Sequence, residues 1–182
     1  MEAKRNTNDL ILHETELNNL NWYAIYTRPR FEKKVYDRLL EKEIEAYLPL
    51  QRKLNQWSDR KKWIEIPLFT SYVFVHIDRS KYDEVVKTEG VVKYITFEGK
   101  AAIIRQEEID NLKLLVDSNY NIDNLAEKIK PGEKVIINHG PLNGLKGELI
   151  QIKGSKKVMI RIQSLNKNLV VEIPGEYIKI LD

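Results

Sequence analysis

The segment QWSDRKKW at 56–63 sets two tryptophans around four charged residues and one serine. Rings beside cations suit unpaired nucleic acid: guanidinium and ammonium groups meet phosphates, and aromatic faces stack on bases. The same mixture suits a hairpin tip stiffened by its own cross-strand aromatics, Trp57 and Trp63, with Arg60, Lys61 and Lys62 turned outward. Upstream, Arg30, Lys34 and Arg38 recur every four residues beside the apolar series Phe31, Val35, Leu39 and Leu40. On a helix these spacings make two adjacent stripes, one for a core and one for anions or solvent. Residues 28–63 hold eleven basic and six acidic residues, net +5, in a chain of net +3. Local basic excess marks nucleic-acid binding, and equally marks a solvated helix face.

Catalytic chemistry is harder to find. His13, His76 and His139 are scattered and show no ligand spacing with carboxylates, and cysteine is absent, so no metal or other cofactor is expected. GPLNGLKG is glycine-rich but leads into a strand and lacks the spacing of a phosphate loop. The adjacent Glu107 and Glu108 open a helix, where acids complement the dipole. A protein without enzymatic activity is expected. The lack of cysteine also fits a reducing cytoplasm, and no apolar run is long enough to cross a membrane.

The elements that position these residues follow from periodicity. WYAIY predicts a buried strand, with Thr27 as cap and Pro29 in the first turn of a helix over about 28–44. EAYLPLQRKLNQW and KWIEIP predict a hairpin about an SDRK turn. LFTSYVFVHI predicts a strand with Phe69, Val73 and Val75 on one face and Tyr72, Phe74 and His76 on the other. Ser80 and Asp83 predict a capping box for a short helix ending at Gly90. VVKYITF and AAIIR predict strands joined at EGK, and 105–117 predicts a helix with Ile109, Leu112, Leu115 and Val116 inward. The fold class expected is α+β with a mostly antiparallel sheet. The expected domains are a disordered tail over 1–20, a first domain over 21–117, a linker over 118–130 and a small β-barrel of five strands over 131–182.

Three features in this order carry a family resemblance: WYAIYTRPRFEKKV, then PLFTSYVFV, then VIINHGPLNGLKGEL. Together, over about residues 21–182, they resemble the NusG family of transcription elongation factors, which join an NGN-type domain to a KOW barrel. Gly140, Pro141, Leu142, Gly144 and Gly147 match the KOW motif. YLPLQRKLNQWSDRKKWIEIP looks closest to the UpxY-type antiterminators of Bacteroides-like bacteria, which are encoded with capsular polysaccharide operons. The resemblance implies that Tyr26, Phe69, Tyr72 and Phe74 dock on the β′ clamp helices of RNA polymerase. It implies that Arg28, Lys34 and Arg38 contact the non-template DNA strand or a nascent RNA leader, to which the helical stripe adds Arg30. For the barrel it implies a ribosomal protein, a termination factor, an antagonist or RNA, with Lys153, Lys156 and Lys157 near one hairpin. The His-Thr-Thr element of one specialised branch is missing from the matching KYDEVVK region. The alternative is a KOW-containing RNA-binding or ribosome-associated module that does not touch polymerase.

Overall fold

The computed structural model describes residues 20–56, 61–118, 120–125, 132–152 and 155–181. By backbone contacts the chain divides into two compact units. The first holds the described residues up to Leu48 together with Thr70–Ile104, and the second holds Pro49–Phe69 with the residues from Arg105 on.

The first unit is an antiparallel sheet in the order β2-β5-β1-β6, built from β1 (Asn21–Thr27), β2 (Glu45–Tyr47), β5 (Tyr72–Ile77) and β6 (Val91–Tyr94). Short β9 (Ile103–Ile104) pairs with the start of β1, and β6 pairs with its end. Helix α1 (Glu32–Glu41) contacts β2 and β5, and its Val35 and Leu39 are fully buried. The helix is shorter than 28–44 at both ends for backbone reasons. Thr27 N–H donates to Ser71 O and Arg28 N–H to Gly90 O, each at 2.8 Å, and Arg30 takes φ 64, so this stretch is spent on the loop. Glu43 at φ 55 turns the chain away at the other end. Thr27 does not cap the helix; its hydroxyl lies 3.1 Å from Arg28 O.

Short helix α2 (Tyr82–Val86) follows a turn capped by Asp78, whose carboxylate accepts from Ser80 N–H at 2.6 Å, in place of the expected Ser80–Asp83 box. The stretch VVKYITF is two strands: Ile95 N–H still bonds Ala24 O, in register with the Tyr94–Ile25 pair, but Ile95 O turns to accept from Ala102 N–H. Beyond it β7 (Thr96–Phe97) and β8 (Lys100–Ala101) form a small hairpin about Glu98 at φ 50 and Gly99 at φ 79.

The second unit holds the hairpin of β3 (Leu50–Gln56) and β4 (Lys61–Pro67), helix α3 (Gln106–Asp117) and a six-stranded antiparallel sheet. That sheet runs β10-β14-β13-β12-β11-β15, from β10 (Ile122–Leu125), β11 (Glu133–Ile137), β12 (Lys146–Ile152), β13 (Ser155–Ile162), β14 (Lys167–Val171) and β15 (Ile178–Ile180). All five expected strands are present. Two corrections follow. Part of the expected linker is a strand, because Ile122 to Leu125 pair with Val171 to Asn168. The expected barrel is an open path of strands with β10 and β15 at its edges, not a closed one. Both faces of the sheet carry core: Val158, Ile160 and Val171 on one, and the cluster of Ile150, Met159 and Val170 on the other. Helix α3 is tied to this unit by Glu108, whose carboxylate accepts from Arg105 N–H, Ser164 N–H and the Ser164 hydroxyl. It is a buried structural carboxylate as well as a dipole acid.

Candidate functional site

In the first unit the loop after β1 presents Arg28 and Arg30, both exposed. Three hydrogen bonds hold it. Its two N–H bonds to Ser71 O and Gly90 O are joined by Glu32, nearly buried, whose carboxylate accepts from Ser71 N–H at 2.7 Å. Ser71 itself sits at φ 64. Gly90, at φ +99, completes the pocket: a Cβ there would lie 2.8 Å from Val35 Cγ2 and 3.0 Å from Phe31 Cδ1. Periodicity did not reveal Glu32 or Gly90 as anchors, since their partners lie 39 and 62 residues away.

The cationic stripe divides on inspection. Lys34 Nζ lies 5.0 Å from the centre of the Phe31 ring and stays exposed. Arg38 is committed to the fold: Nη2 pairs with Glu89 Oε2 and Nη1 donates to Glu89 O, both at 2.8 Å. Lys42 donates to Thr88 Oγ1 nearby, so the end of α1 is stitched to the turn after α2. Arg28, Arg30, Lys33 and Lys34 are the exposed cations of this loop and helix.

Aromatic side chains line one face of the sheet in pairs set by register. Tyr26 stands opposite Tyr72, edge to face at 5.8 Å. Phe74 stands opposite Ala24 on one side and Tyr47 on the other, the two rings 6.2 Å apart. Trp22 stacks on His76 at 4.7 Å, and His76 Nδ1 lies 2.7 Å from Glu45 Oε2. Tyr26 and Tyr72 are half-buried, whereas Phe74 is fully buried and Phe69, in the second unit, is 1% exposed. Burial, and secondarily the neighbouring Tyr26, pushes the Tyr72 hydroxyl above the usual phenol range. Of the four expected docking aromatics, only the tyrosine pair offers surface.

In the second unit Lys61 and Lys62 are exposed on β4, while Arg60 and Trp57 lie outside the described residues. Trp63 stands directly opposite Leu54. In the glycine-rich turn, Gly140 at φ +76 and Gly144 at φ +89 need the left-handed freedom of glycine. A Cβ on Gly147 would lie 2.7 Å from both Ile160 and Val158. Leu142 is fully buried and Pro141 is exposed, so the turn works as a plug for the sheet core. Lys153 and the Lys156 side chain lie outside the described residues, and Lys157 Nζ lies 3.6 Å from Asp123 and 3.8 Å from Glu172. Glu148 takes Arg161 in a two-point bond at 2.7 and 3.1 Å, which holds its carboxyl below the usual range. Among the described residues no cluster of histidine and carboxylates has the geometry to hold a metal, and no helix is long and apolar enough to cross a membrane.

A family described as "Transcription termination factor nusG" matches residues 20–113, just over half the chain. The chain belongs to the NusG family. This is a family of transcription elongation factors whose members bind RNA polymerase. A solved structure described as "Domain interaction in Thermotoga maritima NusG" is similar at 19% identity and a TM-score of 0.55, covering 90% of this chain and 98% of that one. At that identity the likeness supports the fold alone. An MjSpt4:Spt5 complex in conformations A and B aligns at 18% and 20% identity over 88% of this chain and 98% and 97% of those chains. The TM-scores of 0.29 and 0.30 are too low to carry an argument.

Proposed function

We propose that this NusG-family chain is an antitermination and elongation factor that binds RNA polymerase and promotes read-through of an operon of the polysaccharide type. The observation that supports the reading is the family match over residues 20–113, which spans the loop of Arg28 and Arg30 and the Tyr26–Tyr72 pair. In this reading the two half-exposed tyrosines anchor the β′ clamp helices, with Phe74 supporting them from within the sheet. Arg28, Arg30 and Lys34 face the non-template strand, and Lys61 and Lys62 add cations from the hairpin. The factor does no chemistry of its own; it favours the closed clamp and leaves catalysis to polymerase in the cytoplasm. The polysaccharide role draws on the UpxY-like hairpin sequence.

Burial of Phe69 and Phe74 favours the second reading, an RNA-binding or ribosome-associated module, because it removes two of four aromatic anchors from the surface. Co-purification with β′ separates the two. The wild-type chain is expected to retain β′, and Tyr72→Ala to lose at least about fivefold of that binding, the usual cost of a truncated aromatic anchor. A wild-type chain that leaves β′ behind would sink the polymerase reading. Transcription through a terminator placed in the operon's own leader then tests antitermination, with unchanged read-through counting against it.

A further inference from the structure

Strand β1 begins at Asn21, and its start borders a cavity of about 730 Å³ in the first unit. Register sets Asn21 opposite Ile77, two residues before Arg79, and Tyr23 opposite Ile103. Tyr23, Tyr82, Ala101 and Ile103 wall the cavity, and the exposed Arg79 and Lys100 line it too. The rings are fixed in place. Tyr82 stacks on buried Tyr94 at 3.8 Å, Tyr23 meets both edge-on at 6.2 and 5.9 Å, and the Tyr94 hydroxyl donates to Tyr82 O. Ile103 nevertheless stays 54% exposed. Neither Arg79 nor Lys100 takes part in an ion pair among the described residues. Asp83 is the one carboxylate lining the cavity, and it sits in the first turn of α2, where it complements the helix dipole. An aromatic and apolar wall beside two unpaired cations fits a segment of apolar side chains interleaved with carboxylates.

The chain carries such a segment just ahead of β1. DLILHETEL, residues 9–17, holds Leu10, Ile11, Leu12 and Leu17 among Asp9, Glu14 and Glu16, with no lysine or arginine. It lies outside the described residues. Glu16 is five residues from Asn21, within about 17 Å of extended chain. We propose that this segment docks in the cavity of its own chain. Its leucines cover Tyr23, Tyr82 and Ile103, and Glu14 and Glu16 meet Arg79 and Lys100. The short tether holds the segment at an effective concentration on the order of millimolar, which favours it over a similar segment of another protein. While it is docked, Arg79 and Lys100 are closed to other acidic partners. Tyr23 and Tyr26, three residues apart on β1, point to opposite faces, so the clasp is independent of the polymerase contact at Tyr26 and Tyr72.

Two measurements on the full chain test it. A glutamate-specific endoprotease cuts after Glu14 and Glu16, with the cut after Glu2 as internal reference. Arg79→Gln combined with Lys100→Gln should speed the two cuts about fivefold relative to the reference, as the loss of two exposed ion pairs predicts where cutting follows the undocked population. Ile103→Ser should speed them as well, from the apolar side. Because the chain has no cysteine of its own, an introduced pair reads proximity without side reactions. The disulfide in Leu17→Cys/Ala101→Cys should close at least about tenfold faster than in Leu17→Cys/Glu41→Cys, whose second site is exposed at the end of α1. That measurement stands even where a cavity variant folds poorly. Equal closing rates for the two pairs overturn the proposal, and so do cuts after Glu14 and Glu16 that ignore Arg79, Lys100 and Ile103 in variants with unchanged circular dichroism. Disulfides that form only between chains, faster at higher protein concentration, overturn the intrachain clasp and assign the cavity to the tail of a second copy.

Discussion

Helix α1 and hairpin β3–β4 both carry dense positive charge, but the fold treats their cations differently. On α1, Arg38 reaches Glu89 and Lys42 reaches Thr88, so half of the helix's cationic edge is used to hold the turn after α2. On the hairpin the cations stand on a two-stranded ribbon that belongs to neither large sheet. A helix packed on a sheet has a third element alongside it to supply counter-charges. The ribbon's own two strands offer one carboxylate, Glu65, and Asp117 of α3 adds a second at the cavity beside Arg52. Cationic spacing in a sequence is therefore a statement about a stripe; whether the stripe is available to a ligand depends on what packs beside it.

Gly90→Ala strikes the anchored region hardest. A left-handed φ costs a β-carbon about 1 kcal/mol, and overpacking against Val35 adds about 1–3 kcal/mol. Urea denaturation should show a loss of about 2–4 kcal/mol, and a loss below about 0.5 kcal/mol would mean that the loop holding Arg28 is not rigidly seated.

Glu148→Gln tests a pair that, like Arg38–Glu89, spends an arginine on the fold. Its hydrogen bonds to Arg161 lower the folded-state affinity of Glu148 for protons. A depressed carboxylate stabilises the protein above its unfolded-state range and loses that contribution as pH falls through the folded value. The gap in stability between wild type and Glu148→Gln should be about 1–2 kcal/mol at neutral pH and should close in acid. A gap that persists in acid would show that the charge is not what the pair contributes.

The smallest effect is the sharpest comparison. Arg38→Gln should cost about 0.5 kcal/mol of stability in urea denaturation, as expected of a surface ion pair, and Arg52→Gln should cost less, since its guanidinium lies 5.8 Å from the centre of the Trp63 ring. If Arg52→Gln cost as much stability as Arg38→Gln did, the distinction between a cation tied to a distant turn and one left on the ribbon would fail.

Much of the fold was legible in local pattern. A short apolar run marked β1, alternation marked β5, a 3.6-residue period marked α3, and short strand patterns between turns marked β11 to β15. The family showed in the order of three segments. Strand β10 was not legible, because IDNL is four residues among asparagines and becomes a strand only by pairing with β14. Nor was the loss of docking surface at Phe74, since alternation assigns a side chain to a face without saying whether that face is covered.

Local pattern settled most of the strands and helices, where charge and aromatics concentrate, and that the sequence spells out no catalytic constellation. Those are properties of neighbours a few residues apart, and backbone periodicity expresses them directly. The packed fold alone settles that Glu32 holds Ser71, that Arg38 belongs to Glu89, and that two of four candidate aromatics are buried. Each of those depends on a partner far along the chain, and a side chain's availability is set by what it meets.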